Sequence, residues 1–179
     1  MLHNIIISGF GGQGVMSMGK TLAEAGMKEG VNVSWLPSYG PEMRGGTANC
    51  NVVLSSAPVI SPVVIEATEL IAMNKPSLVK FEKALVEGGQ LFINSSIIEV
   101  KASRTDIIAH YVPCNDIAAE MGNARVANMV MLGAFIEATS VLKVETIREM
   151  LSHIFTGPKA SLVELNIEAL KRGAACVRA

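Results

Sequence analysis

An apolar run that stops in glycines and restarts with helical periodicity constrains this chain more than any other feature. Leu2 to Ser8 centres on Ile5-Ile6-Ile7, which leaves no polar alternation for a solvated face, and Gly9-Phe10-Gly11-Gly12-Gln13-Gly14 follows at once. From Gly14 to Lys28, apolar or small residues recur at Val15, Met18, Leu22, Ala25 and Gly26, the spacing of one helix face. A short strand apolar on both sides, a tight turn and an amphipathic helix predict a layered α/β domain, because a buried parallel strand needs helices over its faces.

The rest of the chain extends that alternation. Val31 to Leu36 reads as a second strand, and Thr47 to Ser55 as a third, half-buried or at an edge. Glu69 to Asn74 is a fourth strand, followed by a helix from about Ser77 to Val86 that Asn74-Lys75-Pro76 introduces. Gly88-Gly89 turns the chain into a strand at Gln90 to Asn94, and Ile107 to Val112 is the last. Beyond residue 113 all signals are helical: a short helix capped by Asn115 or Asp116 and ended at Gly122, then Asn123 to Ala138, Val144 to Phe155 and Pro158 to Ala175. The segment from Asn123 is apolar on nearly every side, so it should be buried on every side. The expected fold is an α/β domain with an open, largely parallel sheet, flanking helices and a helical C-terminal part. The whole span, 1–179, reads as one domain.

Composition narrows the function classes. Half of the residues are hydrophobic and 17% are charged, against roughly 25% in an average globular domain. With ten methionines, this predicts a chain with apolar surface for partners to cover. A net charge of −1 argues against non-specific binding of nucleic acid or of a membrane surface. The longest uninterrupted apolar stretch, Met129 to Ile136, has eight residues, where a spanning helix needs about 20. No signal peptide is visible, and the three cysteines, Cys50, Cys114 and Cys176, are odd in number and far apart. They are expected to be free thiols of a cytoplasmic protein, and they are spaced too widely to hold an iron–sulfur cluster.

Two glycine patterns overlap after the first strand. Gly9, Gly11 and Gly14 match the dinucleotide fingerprint, yet the second strand ends Trp35-Leu36-Pro37, without the carboxylate that holds ribose hydroxyls. Gly14 to Thr21 satisfies the Walker A pattern, but Lys20 and Thr21 should lie more than a turn inside the helix rather than at its start. Lys20 reads more simply as a solvated helix residue. A third reading is tight strand–helix packing with no ligand. A second loop, Ser38-Tyr39-Gly40-Pro41-Glu42-Met43-Arg44-Gly45-Gly46-Thr47, also follows a strand and should open on the same end of the sheet. Arg44 offers a fork of donors for phosphate, with bare backbone amides beside it at Gly45 and Gly46; its plainer role is a surface ion pair with Glu42. Together the loops point to a diphosphate site.

GFGGQGV at 9–15, SYGPEMRGGTANC at 38–50 and GNARVANMVMLGA at 122–134 resemble, in order and separation, the gamma subunit of 2-oxoacid:ferredoxin oxidoreductases, with the tyrosine loop most like the 2-oxoglutarate branch. Pyruvate, branched-chain 2-oxoacid and indolepyruvate relatives share the pattern. The resemblance implies a Rossmann-like fold within an enzyme that decarboxylates a 2-oxoacid oxidatively, forms an acyl-coenzyme A and reduces ferredoxin. It places thiamine diphosphate, magnesium and iron–sulfur clusters on alpha, beta or ferredoxin-like delta partners, and none of them on this chain. It assigns coenzyme A binding to Gly9, Gly11, Gly12, Gln13 and Gly14, and to Ser38, Tyr39, Arg44, Gly45, Gly46 and Thr47.

No catalytic residue is expected: His3, His110 and His153 are scattered and read as structural. Asn123, Arg125, Asn128, Met129 and Met131 read either as a helix cap with core packing or as a subunit interface. An isolated chain is expected to cover its apolar surface by forming a homodimer.

Overall fold

The computed structural model describes residues 1–38 and 47–178. Strand β1 (Leu2–Phe10) leads into helix α1 (Val15–Lys28), then β2 (Asn32–Ser38), β3 (Thr47–Ser55) and β4 (Ala67–Ala72). Helix α2 (Lys75–Phe81) and a 3-10 turn precede β5 (Leu85–Asn94) and β6 (Ile108–Val112). The helices α3 (Cys114–Glu120), α4 (Ala127–Thr139), α5 (Val144–Ile154) and α6 (Ser161–Ala175) complete the chain.

The sheet runs β2-β3-β1-β4-β5-β6. Strands β1, β4, β5 and β6 are parallel neighbours, whereas β3 is antiparallel to both β1 and β2. The open, largely parallel sheet is therefore as expected, with one reversed strand. Of the two positions expected for β3, half-buried or edge, the structure has the first, and β2 forms the edge. Ala48, Cys50, Val52 and Leu54 face the core on one side of β3, and Asn49 and Asn51 are half-buried on the other.

Two apolar layers sandwich the sheet. Ile5, Ile7, Cys50, Val52, Leu54, Ile71 and Phe92 face α1 and the C-terminal helices. Ile6, Val53, Leu70, Leu91 and Ile93 face the opposite side, where Leu78 of α2 covers them. Gly19 and Gly26 let α1 lie directly on the sheet: an added Cβ would stand 2.5 Å from the Cys50 sulfur in one case and 2.7 Å from Leu54 in the other.

Helix α4 is buried from Met129 through Ile136, as its all-round apolar sequence requires. Each of its large side chains taken out of water contributes about 1.5–3 kcal/mol. Its contact with α6 is backbone on backbone. A Cβ on Gly133 would lie 2.7 Å from the Leu170 carbonyl carbon, and one on Gly173 2.7 Å from that of Val130.

Element ends shift where partners remote in sequence decide them. Helix α2 stops at Phe81, because Leu85 already pairs with Ala67 of β4. Asn74 does cap it, accepting from the Ser77 amide at 2.9 Å. Helix α3 is not capped by Asn115 or Asp116: Ser96, from the β5–β6 connection, accepts from both of their amides at 3.1 and 3.0 Å. His3 and His110 have structural surroundings, and His153 is exposed on α5. His3 Nδ1 lies 2.7 Å from Glu69 Oε1, and His110 stacks on Phe92 with ring centres 4.7 Å apart. Burial holds the His110 pKa below its ordinary value. Among the described residues no helix is long and apolar enough to cross a membrane.

Candidate functional site

The glycine loop is fixed by two constraints, one conformational and one steric. Gly12 and Gly14 have φ of +94° and +76°, the left-handed region that costs a side chain about 1–2 kcal/mol. Gly14 is also the N-cap of α1, and a Cβ there would stand 2.5 Å from Asn128 Nδ2 and 2.8 Å from Asn128 Cβ. The loop thus rests against the first turn of α4. Gly9 is hemmed in as well, with Gln13 Oε1, Met73 Cβ and Val15 Cγ2 all within 2.9 Å of where its Cβ would be.

Gln13 closes the loop as a clamp. Its Oε1 accepts from the Phe10 amide at 2.6 Å, and its Nε2 donates to the Met73 carbonyl at 3.0 Å. Met73 in turn donates its amide to the Ser8 carbonyl at 2.8 Å, which ties the end of β4 to the end of β1. The Gln13 side chain therefore spends both of its polar atoms on the backbone.

A cavity of about 330 Å³ opens between this loop and α4. Gly12, Gln13 and Gly14 form one wall, Arg125 and Asn128 the other, and Met73 and Asn115 complete its lining. Among the described residues no carboxylate lines it, and Arg125 is the one charged group. A second cavity of about 350 Å³ shares Arg125 and Asn128 and extends past Ser17 and Asn123 towards Phe155 and Lys159. A third hollow of about 200 Å³ lies among α4, α5 and α6, lined by Ile136, Val144 and Leu170 beside the Glu137–Arg178 ion pair. It shares no residue with the glycine loop.

The sequence-expected residues fall into three groups. The first loop and the third motif meet: Asn128 touches Gly14, and Arg125 faces the loop across the cleft. Asn123 is a cap, its Oδ1 accepting from the Arg125 amide at 3.0 Å. Met131 is fully buried and Met129 is 6% exposed. These two side chains are core of their own chain, which corrects their reading as interface residues: the fold itself covers them, and a neighbour would find almost none of their surface.

For the second loop, register puts Thr47 opposite Phe10 and Ser38 opposite Asn49, so its two ends stand at the same end of the sheet as the first loop. Tyr39, Arg44, Gly45 and Gly46 lie outside the described residues.

The Walker A reading lacks its geometry. Lys20 is on the second turn of α1, 3.5 Å from Glu24 on the solvated face, and Thr21 is buried. Among the described residues no nucleophile lines the cleft. Burial pushes the Cys50 thiol up to about 11, against a smaller opposing effect of the Trp35 indole, and pushes the Cys114 thiol up as well. Among the described residues no group of three or more His, Cys, Asp or Glu is placed to hold a metal ion. The described residues of the cleft offer backbone amides, carboxamides and the Arg125 guanidinium, which is chemistry for binding.

Sequence reasoning missed Met73 and the role of Asn115. The available signal was the pair of asparagines at the ends of adjacent strands, Asn74 and Asn94, both buried where solvent-facing residues would be usual.

Comparison with known proteins agrees with this architecture. Residues 4–176 match the family described as pyruvate ferredoxin/flavodoxin oxidoreductase. The ketoisovalerate oxidoreductase subunit VorA of Methanothermobacter thermautotrophicus is 42% identical over 173 residues, 96% of this chain and 36% of that protein. The chain thus spans about a third of that relative's length. The 2-oxoglutarate synthase subunit KorC of Methanocaldococcus jannaschii is 32% identical, covering 97% of this chain and 92% of its own.

Among solved structures, the gamma subunit of a keto/oxoacid ferredoxin oxidoreductase from Geobacter sulfurreducens superposes with a TM-score of 0.83 at 28% identity, over 98% of both chains. A 2-oxoglutarate:ferredoxin oxidoreductase from Magnetococcus marinus, with 2-oxoglutarate, coenzyme A and succinyl-CoA bound, superposes with a TM-score of 0.91 at 25% identity, over 99% of this chain and 31% of that one. On this evidence the chain belongs to the pyruvate ferredoxin/flavodoxin oxidoreductase family, and it matches a gamma subunit of that family from end to end.

Proposed function

We propose that the chain is the gamma subunit of a 2-oxoacid:ferredoxin oxidoreductase, and that its glycine-loop cleft holds coenzyme A while alpha and beta partners carry out the oxidative decarboxylation. The observation that carries this reading is the meeting of Gly12-Gln13-Gly14 with Arg125 and Asn128 on one cleft that no carboxylate lines among the described residues. The amides of Gly12 and Gly14 and a guanidinium suit phosphate, while the Gln13 amide donates to the Phe10 carbonyl at 3.2 Å. A molecule of the size of coenzyme A runs along both adjoining cavities and onto a partner surface. The chain's contribution is proximity: it holds the thiol where an acyl group formed on another subunit is transferred. Thiamine diphosphate, magnesium and the iron–sulfur clusters belong to the partners, and ferredoxin takes the electrons.

The exposed apolar residues Ile60, Ile65 and Val79 give those partners a surface to cover. Relatives named for 2-oxoglutarate and for ketoisovalerate both align along the chain, and the proposed 2-oxoacid is one of these two.

The test is purification of the tagged chain from its native cells, followed by kinetics of the complex. Alpha and beta chains should copurify, and Arg125→Ala should raise the KM for coenzyme A with little change in the KM for the 2-oxoacid. Recovery of a lone monomer, or an unchanged KM, counts against the reading. A second reading, an assembly subunit without a ligand, draws on the tight packing around Gly9 and Gly14, which alone accounts for glycine there. It predicts that coenzyme A leaves residues 9–14 as open to hydrogen exchange as before.

A further inference from the structure

Asn115 lines the glycine-loop cleft, and its side chain has a fixed orientation that follows from a backbone group. The Met73 carbonyl is a pure acceptor, and it faces Gln13 Nε2 at 3.0 Å and Asn94 Nδ2 at 3.4 Å. It therefore settles which end of the Asn94 carboxamide is the NH₂ group, because the flipped amide would set two acceptors face to face. The same Asn94 Nδ2 donates to Asn115 Oδ1 at 2.8 Å. Asn115 thus turns its oxygen inwards, and its Nδ2 has no partner among the described residues. Asn94 is fully buried, with its own Oδ1 unpartnered. An orphaned buried acceptor is destabilising, so such an arrangement is hard to account for by stability alone.

We infer that Asn115 is a ligand-contacting residue of this cleft. Its Nδ2 donates to an anionic phosphoryl oxygen, and the relay Gln13–Met73–Asn94 holds it in that orientation. The ligand class follows from the described lining, which has donors, one guanidinium and, among the described residues, no carboxylate. The inference rests on the coenzyme A reading above and adds to it a contact from the start of α3, beyond both glycine loops and the Arg125 motif.

Asn115→Asp is the discriminating variant. It keeps the oxygen that accepts from Asn94 and keeps the shape, but replaces the cleft-facing NH₂ with a charged oxygen. In the purified complex it should raise the KM for coenzyme A by about tenfold or more, the factor expected when a donor to phosphate becomes a repelling charge. The KM for the 2-oxoacid and the rate at saturating coenzyme A should stay near wild type. Asn115→Ala, which removes the donor without adding charge, should raise the KM less, and it decides the question if the aspartate variant does not assemble. A KM for coenzyme A within about twofold of wild type in an assembled variant overturns the inference. Hydrogen exchange of the wild-type complex separates the two readings. Protection of residues 9–14 by coenzyme A, with no effect of either substitution, removes Asn115 alone. No protection and no KM effect remove the coenzyme A reading and this inference together.

Discussion

Placing alanine at Gly12 and at Gly14 tests whether the loop is shaped by backbone conformation alone or also by its contact with α4. Both positions have positive φ, +94° and +76°, so each alanine incurs the left-handed cost of about 1–2 kcal/mol. Among the described residues nothing stands within 4 Å of a Cβ at Gly12, whereas at Gly14 Asn128 Nδ2 would be 2.5 Å away and Asn128 Cβ 2.8 Å. Rotating the amide relieves the first contact but not the second, because Asn128 Cβ is carried by a helix that is buried from Met129 onwards. Overpacking of this kind costs about 1–3 kcal/mol more. For a chain of this length that difference lowers the melting temperature of Gly14→Ala below that of Gly12→Ala by about 2–12 °C.

The assay is thermal and urea unfolding of both variants and of a third, Gly14→Ala with Asn128→Gly. The third removes the obstructing atoms and should return the loss to that of Gly12→Ala plus about 1 kcal/mol for glycine within a helix. Equal losses for the two single variants, or no recovery in the double one, would refute the loop–α4 contact and with it the geometry of the cleft.

Three further expectations follow from other contacts. Gly173→Ala should destabilise the chain in denaturant titration although alanine is the better helix former by about 1 kcal/mol, because the new methyl meets the Val130 carbonyl; a stabilised variant would mean that α4 and α6 are further apart than described. Gln13→Glu keeps an acceptor for the Phe10 amide but loses the donor to Met73, so it should cost about 1–3 kcal/mol in unfolding titrations and raise the KM for coenzyme A; a variant with both unchanged would show that the clamp does not hold the loop. Burial raises the Cys50 thiol from 9.0 to about 11, so the folded chain disfavours the thiolate. That contribution to stability is complete below pH 9.0 and is lost as pH rises towards 11, which unfolding titrations of Cys50→Ser against wild type should register as a narrowing gap.

Much of the fold was legible because it is written in local periodicity. The apolar run of β1, the one-faced helix after it and the all-round apolar α4 each carry their burial in residue spacing, and each is buried as that spacing requires. The third motif shows the limit. Asn123, Arg125 and Asn128 were recognisable as polar groups at the start of an apolar helix, yet whether they faced a neighbouring chain or the glycine loop could not be read from spacing. Met129 and Met131, read with them as interface, proved to be core, because α4 is enclosed by elements that follow it in the chain as well as by the sheet.

The sequence by itself determined the strand–loop–helix opening and the alternation of strands and helices, since both depend on neighbours a few residues apart. Only the tertiary structure decided the reversal of β3, the capping of α3 by Ser96 and the cleft between Gly14 and Asn128. The same holds for the relay from Gln13 through Met73 and Asn94 to Asn115. Each joins groups from 19 to 114 positions apart in the chain, brought together by the packing of the sheet and helices. No local preference encodes such a meeting, because it is the burial of both partners' elements that sets the distance between them.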